Sequence, residues 1–399
     1  MVGSGGREHA LAWKLSQSPE LEELHAAPGN PGIAQLGTCH PVRPEDADGV
    51  LGLCREHGID LAVIGPEAPL VFGVADHLRH AGCTVLGPSA AAARIEGSKS
   101  FAKDVLETAG VPTAKALAIA RPPCVVKVDG LAAGKGVFVC HTDEELEAGL
   151  VKAASFGSAL LIEELVEGDE VSVFALSDGH SALPLTAARD YKRIEDGDRG
   201  PNTGGMGAYS PVAEVDVEEL VEQVHRPVLA ELAQRGAPFV GVLFAGLMLT
   251  QDGPRVLEFN CRLGDPEAET ILPLLEGDVL GTFAAAAAGD LDGATLSTAD
   301  QAAVTIVLAA RDYPEHADAG TPIEGVADAE AGGAVVFHAG TALQGDRLVT
   351  SGGRILDVTA VGETVADARA RAYDAVGRIS FDGMRYRGDV AAKAEHVNA

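Results

Sequence analysis

The run Val-Leu-Glu-Phe-Asn-Cys-Arg at 256–262 constrains this chain more than any other stretch. On an extended strand side chains alternate, so Leu257, Phe259 and Cys261 take one face and Glu258, Asn260 and Arg262 the other. Gln251-Asp252-Gly253-Pro254 just ahead is a hairpin signal, which makes 239–250 the partner strand. Behind it, Gly264-Asp265-Pro266-Glu267 predicts a helix start, with Asp265 as the cap and Pro266 in the first turn. A carboxylate, an amide and a guanidinium spread over roughly 13 Å of one face suit a hard divalent cation and a phosphate. A polar sheet face that simply meets water accounts for the same pattern.

The length, 399 residues, holds two or three domains and a large core. A net charge of −29 argues against a non-specific nucleic-acid binder, which needs a basic face. The six cysteines show no C-x-x-C pair or zinc spacing, so reduced thiols in the cytoplasm are expected. The histidines show no metal spacing either. No apolar run reaches the ~20 residues of a membrane span, and no secretory signal is evident.

Short apolar runs at 59–64 and 84–86 each end in a Gly-Pro turn, with a helical pattern over 74–80 between them. That rhythm predicts a parallel doubly wound sheet, whose ligands sit beyond the carboxyl ends of the strands. Gly3-Ser4-Gly5-Gly6-Arg7-Glu8-His9 opens a helix at the same edge. It fails the dinucleotide fingerprint, because Glu8 stands where the third glycine belongs. A glycine turn at a helix start still suits a phosphate. Only Met1 and Val2 precede it, so the strand feeding it is expected to be stunted or missing.

Ser98 and Gly110 bracket a helix over 99–109, with Lys99 a cation in its first turn, where the dipole disfavours it. Strands are expected over 113–120 and 124–128, joined by Arg121-Pro122-Pro123. The loop 129–137, Asp-Gly-Leu-Ala-Ala-Gly-Lys-Gly-Val, is one residue short of a Walker A loop and lacks its Ser or Thr. Its glycines and Lys135 can still fold over phosphates. A tight hairpin without a ligand is the alternative. Residues 189–211 show little periodicity and read as a long functional loop, its glycines and Asn202-Thr203 suited to close approach of a ligand. A helix over 217–234 bends at Pro227. Strands at 304–308, 334–338 and 354–360 and a helix over 367–376 make a third, smaller α+β unit.

These motifs together resemble the ATP-grasp superfamily and, within it, the phosphoribosylamine–glycine ligase (glycinamide ribonucleotide synthetase) family of purine biosynthesis. The matching stretches are 5–11, 65–70, 96–99, 129–137, 200–211, 258–267 and 337–341, which run through almost the whole chain in the family's order. The resemblance implies an N-terminal Rossmann-like unit (1–97), an ATP-grasp unit (98–289, lid about 113–175) and a C-terminal unit (290–399). It implies ATP with its phosphates under the 130–137 loop, near Gly134 and Gly136 and touched by Lys99, Lys127 and Lys135. The chain around Glu163, Glu164 and Val166 would meet adenine, with Glu170 on the ribose. Glu258 and Asn260 would hold Mg²⁺ or Mn²⁺, and Arg262 the phosphoryl group.

For the substrates, glycine and 5-phosphoribosylamine, the resemblance implies a cleft lined by the loops after residues 3, 65 and 87, with Gly5, Gly6, Arg7 and Glu8 in the first and Pro66 and Glu67 in the second. Asn202, Thr203, Gly204, Gly205, Met206 and Gly207 join them, with Asp190, Lys192, Arg262 and Asp265. Lys135, Arg262 and Asp190 would be the catalytic residues. A cytoplasmic monomer with no membrane or nucleic-acid partner is implied as well. Three departures stand out: the short first strand, the missing helix at 121–123, and Glu269 where the family usually has Gln. Competing readings are an ATP-grasp ligase or carboxylase for another acid and amine, a nicotinamide oxidoreductase built on 3–9, and a nucleotide-binding scaffold without activity.

Overall fold

The computed structural model describes residues 1–132 and 135–394. At the N-terminus five very short strands run parallel. Thr38–Cys39 pairs with His25–Pro28, which pairs with Val2–Gly3; Ala62–Val63 pairs with Val85–Leu86. A single bridge, Val2 to Ile64, joins the two halves. The first strand is therefore present, two residues long and central. The strand order reverses at that position, which opens a crevice beyond Gly3 and Gly65. Between the last two of these strands the helix Val74–His80 forms as the sequence predicts.

The helix Lys99–Ala109 also follows the sequence. Ser98 Oγ accepts from Phe101 N, and Gly110 ends it in the left-handed conformation. The lid sheet has Cys124–Val128 between Val137–Cys140 and Leu160–Glu164, all antiparallel, with the helix Asp143–Ala154 packed on it. The strand expected over 113–120 does not form. Its hydrogen bonds are split: Thr113 bridges Val256 of the large sheet and Ala116 bridges Glu163 of the lid. Residues 112–117 are a strap between two sheets, so no single ladder can claim them.

The large sheet has eight antiparallel strands: Gly253–Asn260, Val240–Thr250, Asp169–Asp178, Ala182–Asp190, Gly207–Ser210, Ala302–Ala309, Arg354–Gly362 and Val335–His338. Strands from beyond 289 are thus hydrogen-bonded into the sheet that carries the 256–262 run, through Gly207–Ser210. The helix Val365–Val376 covers the C-terminal strands.

Residues 189–211 are not a structureless loop. Arg193–Glu195 and Arg199–Asn202 form a hairpin, and Gly207–Ser210 is a full member of the sheet. A Cβ on Gly207 would strike Thr305 O, and one on Gly205 would strike Pro266. Close approach to a neighbouring chain therefore accounts for these two glycines, which the sequence reading gave to a ligand. The helix over 217–234 is interrupted at Val221–His225, a wider π turn just before Pro227, whose missing N–H it accommodates.

Candidate active site

The hairpin forms as expected, with Thr250 opposite Gly253 and Gln251-Asp252 as its turn. A bulge interrupts it: Gly246 faces Glu258 and Leu247 faces Val256, leaving Leu257 unpaired. Bulges re-aim side chains beside functional sites. Here Leu257 joins Glu258 and Asn260 on a cleft wall, with the buried Phe259 behind them also lining it, while Cys261 stays in the core. The cleft encloses about 310 Å³ between the lid sheet and the large sheet. Gly130, Leu131, Ala132, Gly136 and Val137 form its opposite wall, so the two segments that carry the strongest motifs face one another.

The lid side is rich in lysine. Lys99 Nζ donates to Gly130 O at 2.9 Å, and Lys127 Nζ donates to Leu257 O at 2.8 Å. Glu163, almost fully buried, holds Lys127 at 2.6 Å and also pairs with Lys103. Burial lowers the Lys99 and Lys103 ammonium groups, with Glu258 opposing it for Lys99 and Glu163 for Lys103. Lys135 does not line the cleft; its Nζ donates to Pro314 O at 2.8 Å, so its side chain reaches across to the turn that follows the strand Ala302–Ala309. Glu164 turns away, accepting from Lys115 N and Arg255 Nη1, each at 3.0 Å. Val166 lies in the coil after the lid strand, and Gly134 lies outside the described residues.

The opposite side is built from arginines and carboxylates. Arg262 donates to Glu67 at 3.2 Å, to Glu96 at 2.8 Å and to Asn260 Oδ1 at 3.1 Å. Arg7 pairs with Glu8 at 2.7 Å and stands 4.0 Å from Glu67. Burial alone would raise the Glu67 carboxyl, but Arg262 and Arg7 hold it down to about 2. The Asn260 amide oxygen, expected to face a metal, is taken up by Arg262. Pro66 caps the short helix Glu67–Val71, which presents Glu67.

Glu8, given to the substrate by the sequence reading, is spent on the fold. It accepts from Ser4 N at 3.2 Å and Gly5 N at 2.6 Å and braces Arg7. A Cβ on Gly6 would collide with the Asp357 and Glu269 carboxylates, so Gly6 is a packing glycine. Met206 is buried with Ile194 and Ala309, and Asn202 touches the lid through Val137 O at 3.4 Å.

At the floor, Lys192 bonds Asp190 at 2.9 Å and Glu170 at 2.7 Å, which links two residues assigned to different ligands. Burial, then Asp190, pushes Glu267 up to about 7. Thr203 and Gly204 line the cleft here; Arg354 donates to Gly204 O and to Asp265 O, each at 2.7 Å, and pairs with the Asp265 carboxylate at 3.1 Å. Asp265 therefore serves Arg354 and caps nothing; the helix begins at Glu267, and Pro266 precedes it. Beyond lies an acidic cluster. Asp265, Glu269 and Asp357 each offer an oxygen within 4.8 Å of the others, and the Glu269 and Asp357 carboxyls are fully buried without hydrogen-bond partners. Burial first, then their acidic neighbours, pushes both well above the ordinary carboxylate range.

Glu96, Lys103, Glu267 and Arg354 are site residues without a role in the sequence reading. Lys103 had a signal: it sits on the apolar face of its helix with Ala102 and Leu106, where a cation is anomalous. Arg354 had none, since only the sheet brings it to the cleft.

Two sheets clasping one cleft, a glycine-rich loop over it and lysines facing a Glu-x-Asn strand define the ATP-grasp class. Models for phosphoribosylglycinamide synthetase match end to end: the N domain at 1–96, the ATP-grasp (A) domain at 97–268 and the C domain at 303–393. The chain belongs to the phosphoribosylglycinamide synthetase family. It is 47% identical to the phosphoribosylamine–glycine ligase of Rhizobium meliloti and 48% to that of Streptomyces coelicolor, covering 99% of this chain and 98% of each relative. The crystal structure of the Thermotoga maritima phosphoribosylamine–glycine ligase superposes with a TM-score of 0.84 at 34% identity, covering 98% of this chain and 99% of that one. The biotin carboxylase domain of a Hydrogenobacter thermophilus 2-oxoglutarate carboxylase, solved with MgADP, shares the fold at 18% identity and a TM-score of 0.68, over 96% of this chain and 90% of that one. Among the described residues no helix is long and apolar enough to cross a membrane.

Proposed function

We propose that the chain joins glycine to 5-phosphoribosylamine at the expense of ATP, through a glycyl phosphate, giving glycinamide ribonucleotide, ADP and phosphate. The observation that carries this reading is the strand with Glu258, Asn260 and Arg262 facing the 130–137 loop across one cleft. The ATP phosphates lie under that loop, against Lys99 and Lys127, with Lys135 leaving Pro314 O to reach them and Gly136 allowing the backbone close. The backbone at 163–166 meets adenine, and Glu170 the ribose. Glu258 and the Asn260 amide oxygen are hard donors on one wall, which fits Mg²⁺ or Mn²⁺. Binding the ion there requires Arg262 to release Asn260 and turn to the phosphoryl group. Bound, the ion neutralises phosphate charge.

The chain's own cations answer a simple electrostatic problem. A glycine carboxylate ~4 Å from a phosphate charge costs about 4 kcal/mol at an effective dielectric of 20. Lys99, Lys127, Lys135 and Arg262 offset that repulsion and stabilise the transferring oxygens. The amine of phosphoribosylamine then attacks the acyl carbon and phosphate leaves, so no enzyme nucleophile is required. Arg7, Glu67, Asp190, Lys192, Thr203, Gly204 and Asp265 line the same cleft and position the two substrates. The closed loop keeps water from the acyl phosphate.

Six unpaired cysteines support a reducing cytoplasm, and a net charge of −29 supports small molecules over nucleic acid as partners. A monomer with units at 1–97, 98–289 and 290–399 completes the reading. The test is ADP release with phosphoribosylamine generated in situ: it must depend on glycine and on that amine together. With ¹⁸O-labelled glycine carboxylate, one label appears in the released phosphate. Unlabelled phosphate rejects the acyl phosphate, and release with a different amine alone rejects the substrate.

A further inference from the structure

Three histidines far apart in the sequence meet at one edge of the N-terminal sheet. His25 opens the strand His25–Pro28, His40 follows Thr38–Cys39, and His57 caps the C-terminal end of the helix Ala47–Glu56. One ring nitrogen from each lies within 4.8 Å of the other two. Their rings pack with centroids 4.4 Å, 4.9 Å and 5.3 Å apart. No local spacing announces this group, because the tertiary fold assembles it from three elements.

The nitrogens are gathered closely enough for one ion, although His25 stacks on His40 and on His57 at 22° and 27°, so rings must turn for their lone pairs to converge. Two nitrogens bound to one tetrahedral ion at ~2.0–2.1 Å stand about 3.3 Å apart. His25 Nδ1 and His40 Nε2 are 3.0 Å apart and share a hydrogen bond, close to the length of such an edge, so an ion bound there displaces the shared proton. His25 Nε2 lies 3.1 Å from Glu23 Oε2, so its N–H faces a carboxylate and Nδ1 keeps its lone pair. His57 is exposed and can close the remaining gap by turning its ring. The groove that holds the three rings also carries Glu20, Glu22, Glu23 and Asp60, which favour a cation. It shares no lining residue with the cleft.

We propose that His25, His40 and His57 bind one divalent transition-metal ion of the Zn²⁺, Co²⁺ or Ni²⁺ class, with Glu23 orienting His25 and water as the fourth ligand. Imidazole donors select such ions over Mg²⁺, so this site and the Glu258–Asn260 pair differ in the metal they take. The ion would tie two strands and a helix together at the sheet's edge.

The experiment uses the full chain, stripped of metal and without nucleotide, titrated with Zn²⁺ by calorimetry and with Co²⁺ by visible absorption. One equivalent should bind, and Co²⁺ should show tetrahedral bands without a thiolate charge-transfer band. Binding should weaken about tenfold or more in His40→Ala and in His57→Ala, and by up to about tenfold in Glu23→Gln. Glu258→Ala should bind like the wild type, which separates this site from the cleft. All three groove variants should keep wild-type ligase turnover, showing that they fold. A wild-type chain with no stoichiometric site overturns the proposal. So does a site that survives both histidine variants or shows thiolate ligation.

Discussion

Two glycine-rich turns, 3–9 and 129–137, read alike in the sequence, and the structure uses them in opposite ways. The first is locked. Glu8 accepts from two backbone amides and Arg7, and Asn30 Nδ2 donates to Ser4 O at 2.8 Å and His338 O at 2.7 Å. His338 N closes onto His9 Nδ1 at 2.8 Å, and two carboxylates crowd Gly6. The second is open at Gly130, where a Cβ would meet nothing nearer than Ser158 at 3.8 Å, and crowded only by its own hairpin at Gly136, where a Cβ would strike Ala132 and Val128; the side chain of Lys135 is anchored at Pro314 O. Glycine lets distant segments interpenetrate in the first turn, and in the second it lets one hairpin fold closely on itself. Composition alone does not distinguish these roles; what surrounds the glycines does.

The contrast can be broken at several points. Glu8→Ala strands the buried Arg7 and uncaps the first helix, so denaturant unfolding should show a loss of about 3–5 kcal/mol; a wild-type midpoint would mean the turn is not braced. Lys135→Ala should do the reverse. Turnover should fall about 10²–10³-fold, with stability within about 0.5 kcal/mol of wild type. Steady-state rates and a melting curve on one preparation decide it. Gly6→Ala should cost about 1–3 kcal/mol, because two buried carboxylates must shift for one methyl.

The smallest effect depends on pH. Burial, then Asp265 and Asp357, raises the folded-state Glu269 carboxyl far above its unfolded value, with Arg354 opposing. The folded state therefore holds a proton that the unfolded chain releases near pH 4.3. The stability this provides is full below that value and is lost as pH rises through the folded one. Urea unfolding should show the wild type weakening from pH 5 toward pH 9. Glu269→Gln should flatten the decline and gain about 1–3 kcal/mol at the alkaline end. An unchanged slope would mean that Glu269 is charged and paired.

What the sequence made legible was local. Ser98, Gly110 and the apolar positions between them define a helix without outside help, and the alternation at 256–262 with a turn ahead of it defines a strand. The strap at 112–117 was not legible, because its partners Val256 and Ile162 lie far along the chain. Nor was the hairpin at 193–202, which has no apolar alternation and is held from outside by Arg387 and Asp389. Of the site, Lys99, Lys127, Glu258 and Asn260 could be picked out because polar groups recur in apolar or glycine-rich settings. The direction each takes could not: Asn260 turns to Arg262, Glu8 turns inward, and the Glu269–Asp357 contact exists only once the helix Glu267–Ile271 is laid on the distant strand Arg354–Gly362.

The strap has a mechanical consequence. Pro112 and Thr113 are stitched to Val256 by bonds of 2.9 Å and 2.8 Å, two residues from Glu258, while Lys115 and Leu117 are stitched to the lid strand at Glu164 and Ile162 by bonds of 2.9 Å and 2.8 Å. A lid that swings outward must pull on this tether, and the pull lands on the strand that carries Glu258 and Asn260. Any outward motion of the lid and the position of the Glu258–Asn260 strand are thus mechanically linked through six residues of chain.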